Sequence, residues 1–143
     1  MMAQPHSEHT GPQTVLVVDD QAPVRMFVRK ALEYGGYEVI EANSGFEALA
    51  VLAKNSAAID LVLTDIVMPG GMSGRLMADT VANRYPATKV VFMSGNEELV
   101  RVLNGGSQEG PTLQKPFTSF MLLERVRQAL ENPTSAPAAE TGP

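Results

Sequence analysis

The sequence contains no cysteine and no tryptophan, and it has two histidines among its 143 residues. Without cysteine the chain cannot form disulfide bonds, thiolate zinc sites or a thiol nucleophile. Both histidines, His6 and His9, lie close to the N-terminus, which argues against a Ser-His-Asp triad and against a multi-histidine metal site. Basic residues number 11 against 16 acidic ones, and the net charge of -5 argues against nucleic-acid binding through phosphate neutralisation.

Long apolar segments are absent as well. No run approaches the roughly 20 residues that a membrane-spanning helix needs, and residues 1–13 lack the apolar stretch of a signal peptide. We therefore predict a cytoplasmic protein with no membrane partner. The length and the hydrophobic content of 44% are typical of one globular domain.

Both ends of the chain differ in composition from the segment between them. Residues 1–13 are polar, residues 132–143 are rich in proline and alanine, and neither segment has a periodic apolar pattern. Such segments cannot bury enough apolar surface to offset the entropy of ordering. We predict a disordered head (1–13), one ordered domain (14–131) and a disordered tail (132–143), with no DNA-binding or enzymatic domain after residue 130.

Strand and helix patterns alternate through the ordered domain. Five runs rich in β-branched residues predict strands at Thr14–Val18, Tyr37–Ala42, Asp60–Thr64, Lys89–Met93 and Thr112–Gln114. Apolar residues at helical spacing predict helices at Ala22–Tyr34, Gly45–Lys54, Gly74–Tyr85, Glu97–Leu103 and Thr118–Glu131. The strand runs show little polar alternation, which is typical of strands buried on both faces. The alternation predicts a three-layer α/β fold with a doubly wound, five-stranded parallel sheet.

The apolar spacing also predicts which helix residues face the sheet. In the first helix these include Phe27 and Val28, in the third Leu76 and Met77, and in the last Leu123. A stripe of this kind is the face that a helix buries.

Polar residues stand where the predicted strands end. Asp19 and Asp20 follow the first strand, Asp65 follows the third, Ser94 the fourth and Lys115 the fifth. In doubly wound sheets the functional site lies at the carboxyl ends of the strands. We therefore expect three carboxylates, a hydroxyl and an ammonium group to meet at one edge of the sheet.

The three carboxylates, the hydroxyl and the ammonium group could together bind a metal ion and a phosphoryl group. Clustered carboxylates repel one another, so at least one pKa rises unless a cation lies among them. An all-oxygen site is typical of Mg²⁺, which binds one or two carboxylates, waters and phosphate oxygens, and Mn²⁺ could substitute. An aspartate can attack phosphorus and form an acyl phosphate, while Mg²⁺, Lys115 and Ser94 contact the phosphoryl oxygens. The cluster is predicted to handle a phosphoryl group.

Four segments carry a family resemblance: VLVVDD (15–20), LVLTDIVMPGGMSG (61–74), VVFMSG (90–95) and LQKPF (113–117). In this order they resemble the receiver domain of bacterial two-component response regulators, over residues 14–130. The stretch DIVMPGGMSG resembles receivers attached to or partnered with hybrid sensor kinases. The resemblance implies a flavodoxin-like (βα)5 fold and a signalling module with no enzymatic activity beyond its own phosphorylation and dephosphorylation.

The resemblance also implies roles for the acidic residues. Asp65 would be the phosphoacceptor. Asp20 would bind Mg²⁺ directly together with Asp65, and Asp19 would bind it through water. The backbone carbonyl of Val67 would be the third protein ligand.

The remaining implied roles concern the switch and the partners. Ser94 would bond a phosphoryl oxygen after phosphorylation, and Lys115 would pair with the aspartyl phosphate beside a cis bond to Pro116. A phosphohistidine on a histidine kinase or histidine phosphotransfer protein would be the donor. The chain would then signal as a single-domain regulator, a monomer or weak dimer, through a protein partner at the face of the fourth helix, fifth strand and fifth helix.

One position departs from the family pattern. The family usually has an aromatic residue three positions before the lysine, where this chain has Thr112. The hydroxyl residue of the activation switch, Ser94, is present, but its aromatic residue is missing. The resemblance therefore does not imply the usual coupling between phosphorylation and the face of the fourth helix, fifth strand and fifth helix. Three glycines in residues 104–111 predict a short fourth helix.

Other functions stay open at this point. The chain could be a phosphate sink or shuttle, or a receiver-like adaptor that signals without phosphorylation. An aspartate-nucleophile phosphohydrolase also uses carboxylates and Mg²⁺, but it has a D-x-D signature where this chain has adjacent Asp19 and Asp20. A nucleotide- or flavin-binding module is favoured only by the fold and by Gly70, Gly71 and Gly74, and no G-x-x-x-x-G-K-[ST] motif occurs.

Overall fold

The computed structural model of the chain describes residues 11–68, 70–106 and 110–131. The predicted disordered head and tail lie outside the described residues, apart from residues 11–13. Within the described part of the chain, no helix has both the length and the apolar character needed to cross a membrane.

Five parallel strands form one sheet in the order β2-β1-β3-β4-β5. The strands are β1 (Thr14–Val18), β2 (Glu38–Ala42), β3 (Leu61–Asp65), β4 (Lys89–Ser94) and β5 (Thr112–Gln114). The helices are α1 (Ala22–Tyr34), α2 (Gly45–Asn55), α3 (Gly74–Arg84), α4 (Glu97–Leu103) and α5 (Ser119–Glu131), with a short 3₁₀ turn at Ser56–Ala58. The predicted α/β fold is confirmed, and α4 is short, with seven residues.

Strand β1 lies inside the sheet, and its burial explains why its sequence lacks polar alternation. Val15 and Val17 pack in a hydrophobic cluster with residues of α1 and α5. Leu16 and Val18 pack on the opposite face, in a cluster with residues of α2 and α3. All four side chains are fully buried, each contributing roughly 1.5–3 kcal/mol. The sheet is therefore covered on both faces, and its strand ends are left to form a site.

Two helix residues that the apolar spacing assigned to the core are exposed instead. Phe27 is 46% exposed and Leu76 is 52% exposed. Periodicity indicates which side of a helix faces the sheet, but it does not indicate how wide a strip the sheet covers. The Phe27 ring lies at the rim, 6.1 Å from the ring of Phe117. In α5, Leu122 is fully buried, whereas Leu123 is half-buried.

The buried side chain of Asn104 joins the end of α4 to β5. Its amide nitrogen donates to the Thr112 carbonyl oxygen at 3.0 Å, and its amide oxygen accepts from the Thr112 N–H at 3.0 Å. Arg125 of α5 donates to the same carbonyl oxygen at 2.7 Å. The side chain just after α4 and a side chain of α5 thus hold this short edge strand. The Thr112 hydroxyl is buried and has no hydrogen-bond partner among the described residues.

Replacing Asn104 with Ala is expected to lower the free energy of unfolding by about 1–3 kcal/mol, because it leaves the buried Thr112 N–H unpaired. Urea denaturation measures the change. Asn83→Ala, at an exposed position of α3, is the matched control. Equal stability of the two variants would show that the Asn104 amide does not hold β5.

A chain of ion pairs connects the end of β2 to α1. Arg25 Nε lies 3.0 Å from Glu41 Oε1, and Arg29 Nη1 lies 2.8 Å from Glu41 Oε2. Arg29 also pairs with Glu33 at 2.9 Å. The hydrogen bond from Arg29, followed by that from Arg25, lowers the pKa of Glu41 below its ordinary value of 4.5.

The lowered pKa of Glu41 predicts a pH-dependent effect of Glu41→Gln. A carboxylate whose pKa is lower in the folded state stabilises the fold above pH 4.5, and this stabilisation is lost as pH falls through the folded-state pKa. At neutral pH we expect Glu41→Gln to reduce the free energy of unfolding by about 0.2–1 kcal/mol. Urea denaturation at several pH values should show that the difference in unfolding free energy between the wild type and Glu41→Gln becomes smaller as the pH falls. A difference that does not depend on pH would contradict the lowered pKa of Glu41.

Candidate functional site

Three aspartates meet at the carboxyl edge of the sheet. Asp19 and Asp20 follow β1, and Asp65 ends β3, which is the strand paired with β1. One carboxylate oxygen from each lies within 4.8 Å of the others. Asp19 is fully buried, Asp65 is half-buried and Asp20 is exposed. The expected acidic cluster therefore exists, and it opens to solvent on the side of Asp20.

Lys115 lies between two of these carboxylates. Its Nζ is 3.1 Å from Asp19 Oδ2 and 3.1 Å from Asp65 Oδ2. The Lys115 N–H donates to the Ser94 carbonyl oxygen at 2.8 Å, which fixes the end of β5 beside β4. The bond from Lys115 to Pro116 is cis, as expected. The ammonium group thus joins residues far apart in the sequence into one site.

Burial and charge perturb both partners of this pair. Burial, and to a smaller extent the charge of Asp19, raises the pKa of Asp65. The hydrogen bond and the charge of Lys115 lower this pKa, but they offset the rise only in part. For Lys115, burial opposes the ammonium form, but the hydrogen bonds and charges of Asp65 and Asp19 outweigh it and raise its pKa. Lys115 therefore stays cationic, and one cation faces three carboxylates. This excess of negative charge favours a divalent cation.

Ser94 is buried at the end of β4, the strand paired with β3. Its hydroxyl oxygen accepts a hydrogen bond from the Asn96 N–H at 3.1 Å. Asn96 in turn caps α4, since its side-chain oxygen accepts from the Leu99 N–H at 2.9 Å. The Ser94 hydroxyl therefore holds the backbone just before α4.

The backbone at the end of β3 packs closely against the start of α3. The exposed Val67 donates its N–H to Asp65 Oδ1 at 3.4 Å, and the Gly74 N–H donates to the Ile66 carbonyl oxygen at 2.8 Å. A Cβ atom at position 74 would collide with the carbonyl oxygen of Asp65. Gly74 is therefore required by the close approach of α3 to the Asp65 backbone, a contact that sequence reasoning did not identify.

Sequence reasoning also missed Arg25. Its Nη1 donates to the Asp19 carbonyl oxygen at 2.7 Å, while its Nε pairs with Glu41. Nothing in a single sequence distinguishes this arginine from the other basic residues of α1, because the contact depends on how α1 is placed against β1 and β2.

The donor atoms of the acidic cluster suit Mg²⁺. The cluster offers carboxylate oxygens only, and Mg²⁺ binds one or two carboxylates together with waters. Asp19 is fully buried, whereas Asp20 is exposed and Asp65 is half-buried. Lys115 and a backbone N–H donate to the carboxylate of Asp19 and also to that of Asp65. The accessible carboxylates of Asp20 and Asp65 could therefore hold a cation at this cluster.

Comparison with known sequences points to one family. The family model described as the response regulator receiver domain matches residues 15–127. The chain is 37% identical over 124 residues to the sensor kinase CckA of Brucella abortus, and the match covers 85% of this chain. The chain spans 13% of the length of that kinase.

Solved structures agree with the sequence match. A response regulator receiver protein from Sinorhizobium medicae has a TM-score of 0.73 at 33% identity, with 85% of this chain and 96% of that chain covered. The receiver domain of the hybrid histidine kinase CckA has a TM-score of 0.69 at 34% identity, with 82% and 99% covered. The expected likeness to receivers of hybrid sensor kinases is thereby confirmed.

Proposed function

The chain belongs to the response regulator receiver family, and on that premise we propose that it accepts a phosphoryl group on Asp65 in an Mg²⁺-dependent reaction. Receivers are in general signalling modules of two-component systems that interact with histidine kinases or phosphotransfer proteins. The proposed donor is a phosphohistidine on such a partner. The observation that carries the proposal is the position of Lys115 Nζ, 3.1 Å from the carboxylates of both Asp19 and Asp65.

Asp65 acts as the nucleophile in this proposal. One of its carboxylate oxygens forms a bond to phosphorus while the bond from phosphorus to the imidazole nitrogen breaks, and the electron pair stays on the imidazole. Lys115 neutralises the negative charge that the phosphoryl group brings next to two carboxylates. Mg²⁺, when bound, would further neutralise the negative charge on the phosphoryl oxygens. Hydrolysis of the acyl phosphate by water then restores the free carboxylate.

The proposed metal ligands lie beside the nucleophile. Asp20 and Asp65 would bind the cation directly, Asp19 would bind it through water, and the backbone carbonyl of Val67 would complete the protein ligands, with Mn²⁺ able to replace Mg²⁺. The indirect role of Asp19 is supported by its complete burial, because Asp65, the proposed direct ligand beside it, is only half-buried. The exposure of Asp20 supports its direct role.

Signalling is proposed to pass through Ser94. A phosphoryl group adds about -1.5 to -2 charges, and the Ser94 hydroxyl turns towards it and releases the Asn96 N–H before α4. A protein partner reads this change at the face of α4, β5 and α5, in the cytoplasm. Residues 14–131 form the domain that acts in this way. Its action as a single domain, and as a monomer or weak dimer, stays a prediction.

Labelling of the purified chain tests the proposal. The chain is incubated with acetyl phosphate, and in parallel with phosphoramidate, with Mg²⁺ or with a chelator. We expect the mass of one phosphoryl group to be added per chain, only with Mg²⁺, and to be removed by hydroxylamine, which cleaves acyl phosphates. Absence of any label from both donors would overturn phosphorylation and favour an adaptor that acts without it.

Further assays of the same purified chain, with phosphate monoesters and with a histidine phosphotransfer protein, separate the remaining alternatives. Release of many equivalents of inorganic phosphate per chain from phosphate monoesters would indicate a phosphohydrolase. Return of the phosphoryl group from labelled chain to a histidine phosphotransfer protein would indicate a shuttle, and rapid hydrolysis with no protein acceptor would indicate a sink.

A further inference from the structure

We propose that Arg25 is a positioning residue for the metal site, which holds the peptide between Asp19 and Asp20 so that the Asp20 carboxylate faces the cation. The proposal rests on the Mg²⁺ site of the proposed function and assigns a role to a residue outside the acidic cluster. Arg25 itself contacts neither the cation nor the phosphoryl group. It acts through the backbone of the two aspartates.

Arg25 is held in place from both sides. Its Nη1 donates to the Asp19 carbonyl oxygen at 2.7 Å, and its Nε donates to Glu41 Oε1 at 3.0 Å. Glu41 is itself bonded by Arg29 at 2.8 Å. The Arg25 side chain is 18% exposed, so the guanidinium group bridges the end of β1 and the end of β2 in a largely buried position. A planar guanidinium group suits such a bridge because its donors have fixed directions.

The backbone between β1 and α1 lacks the side-chain cap that precedes three of the other helices. Helices α2, α3 and α4 each begin at a residue whose side chain accepts a backbone N–H, namely Ser44, Ser73 and Asn96. Helix α1 begins after Gln21, whose side chain makes no capping hydrogen bond. The backbone before α1 is instead held by two contacts with Asp19, one to its carbonyl oxygen from Arg25 and one from the Gln21 N–H to its carboxylate at 2.9 Å.

These two contacts lie on either side of Asp20. The Asp20 side chain is exposed, so its direction depends on the backbone from Asp19 to Gln21. Groups that orient metal ligands in this way usually change metal affinity when they are removed. Loss of the Arg25 contact is therefore expected to release the peptide and to weaken Mg²⁺ binding through Asp20.

Charge alone predicts the opposite change in Mg²⁺ affinity. Arg25 is a cation that contacts the backbone of Asp19, next to the acidic cluster, so its removal would by charge alone strengthen the binding of another cation. A role confined to the stability of the fold would change the melting temperature but leave the Mg²⁺ affinity unaltered. The sign of the change in affinity therefore separates positioning from both other roles.

The test measures the dissociation constant for Mg²⁺ by calorimetric titration of the full chain without a phosphodonor. We expect Arg25→Gln to raise this constant by roughly 10-fold or more. Arg29→Gln is the matched control, because it removes an ion pair with Glu41 but no contact with Asp19, and it should bind Mg²⁺ as the wild type does. At saturating Mg²⁺, the rate of labelling by acetyl phosphate should return close to the wild-type rate in Arg25→Gln.

A second variant, Arg25→Lys, keeps the charge but has a single donor nitrogen in place of the planar guanidinium group that bonds both Asp19 and Glu41. We expect its Mg²⁺ affinity to lie between those of the wild type and Arg25→Gln, and it serves as the test if Arg25→Gln does not fold by circular dichroism. Unchanged or stronger Mg²⁺ binding in the folded variants would overturn the positioning role alone. Failure of the wild type to bind Mg²⁺ would overturn the metal site of the proposed function, and with it this role.

Discussion

Replacing Asp65 with Asn should abolish labelling of the chain by acetyl phosphate, because the amide cannot supply the carboxylate oxygen that forms the acyl phosphate. The variant is expected to fold. Burial already disfavours the charged form of Asp65, so a neutral side chain of the same shape suits the site. Lys115 also keeps its contact with Asp19 at 3.1 Å. Intact-mass measurement after incubation with Mg²⁺ and the donor records the loss.

The control for this prediction is Asp79→Asn, which removes an exposed carboxylate of α3. It should label to the same extent as the wild type. A full equivalent of label on Asp65→Asn would move the nucleophile to another residue, and Asp20 would be the first to test because its carboxylate is exposed in the same cluster. Circular dichroism of both variants verifies that a lost label does not reflect a lost fold.

Replacing Lys115 with Met should slow labelling by about 10²–10³-fold at saturating Mg²⁺, the usual loss when one group that stabilises transition-state charge is removed. The ammonium group lies within hydrogen-bond distance of both Asp19 and Asp65, so a phosphoryl group on Asp65 would lie next to it. The initial rate of labelling is the quantity to measure. Methionine retains the apolar stem of the side chain and removes the charge.

Lys115→Met also leaves the fully buried Asp19 without its cationic partner, so the variant is expected to be less stable, by as much as about 3–5 kcal/mol if no cation compensates. Lys115→Arg keeps the charge and serves as the second variant. Lys30→Met, at an exposed position of α1, controls for the loss of a surface charge. An unchanged labelling rate in folded Lys115→Met would remove Lys115 from the proposed mechanism.

The architecture could be predicted from the sequence because local pattern and topology agree. Runs of apolar β-branched residues indicate buried parallel strands, and the helical spacing between them requires crossover connections. Once the strands are parallel, their carboxyl ends must share one edge. This is why Asp19, Asp20, Asp65 and Lys115 could be placed together before any distance was known, and the acidic cluster and its lysine are found at that edge.

Other features depended on packing that no local pattern records. Phe27 and Leu76 carry the spacing of core residues, yet they are exposed, because burial depends on the width of the neighbouring sheet. Asn104 lies in a glycine-rich stretch typical of a loop, but its side chain holds β5. The Thr112 position differs from the family pattern, and only the structure shows its hydroxyl buried without a partner among the described residues.

By itself, the sequence of this protein determined the order of the elements, the parallel sheet and the identity of the charged groups at its edge. The tertiary structure decided which of those groups touch. Lys115 lies 96 positions from Asp19, and Arg25 reaches the Asp19 carbonyl oxygen only because α1 lies against the ends of β1 and β2. The physical reason is that periodicity reports the direction of a side chain relative to its own helix or strand. Hydrogen bonds of about 3 Å depend instead on the positions of several elements at once.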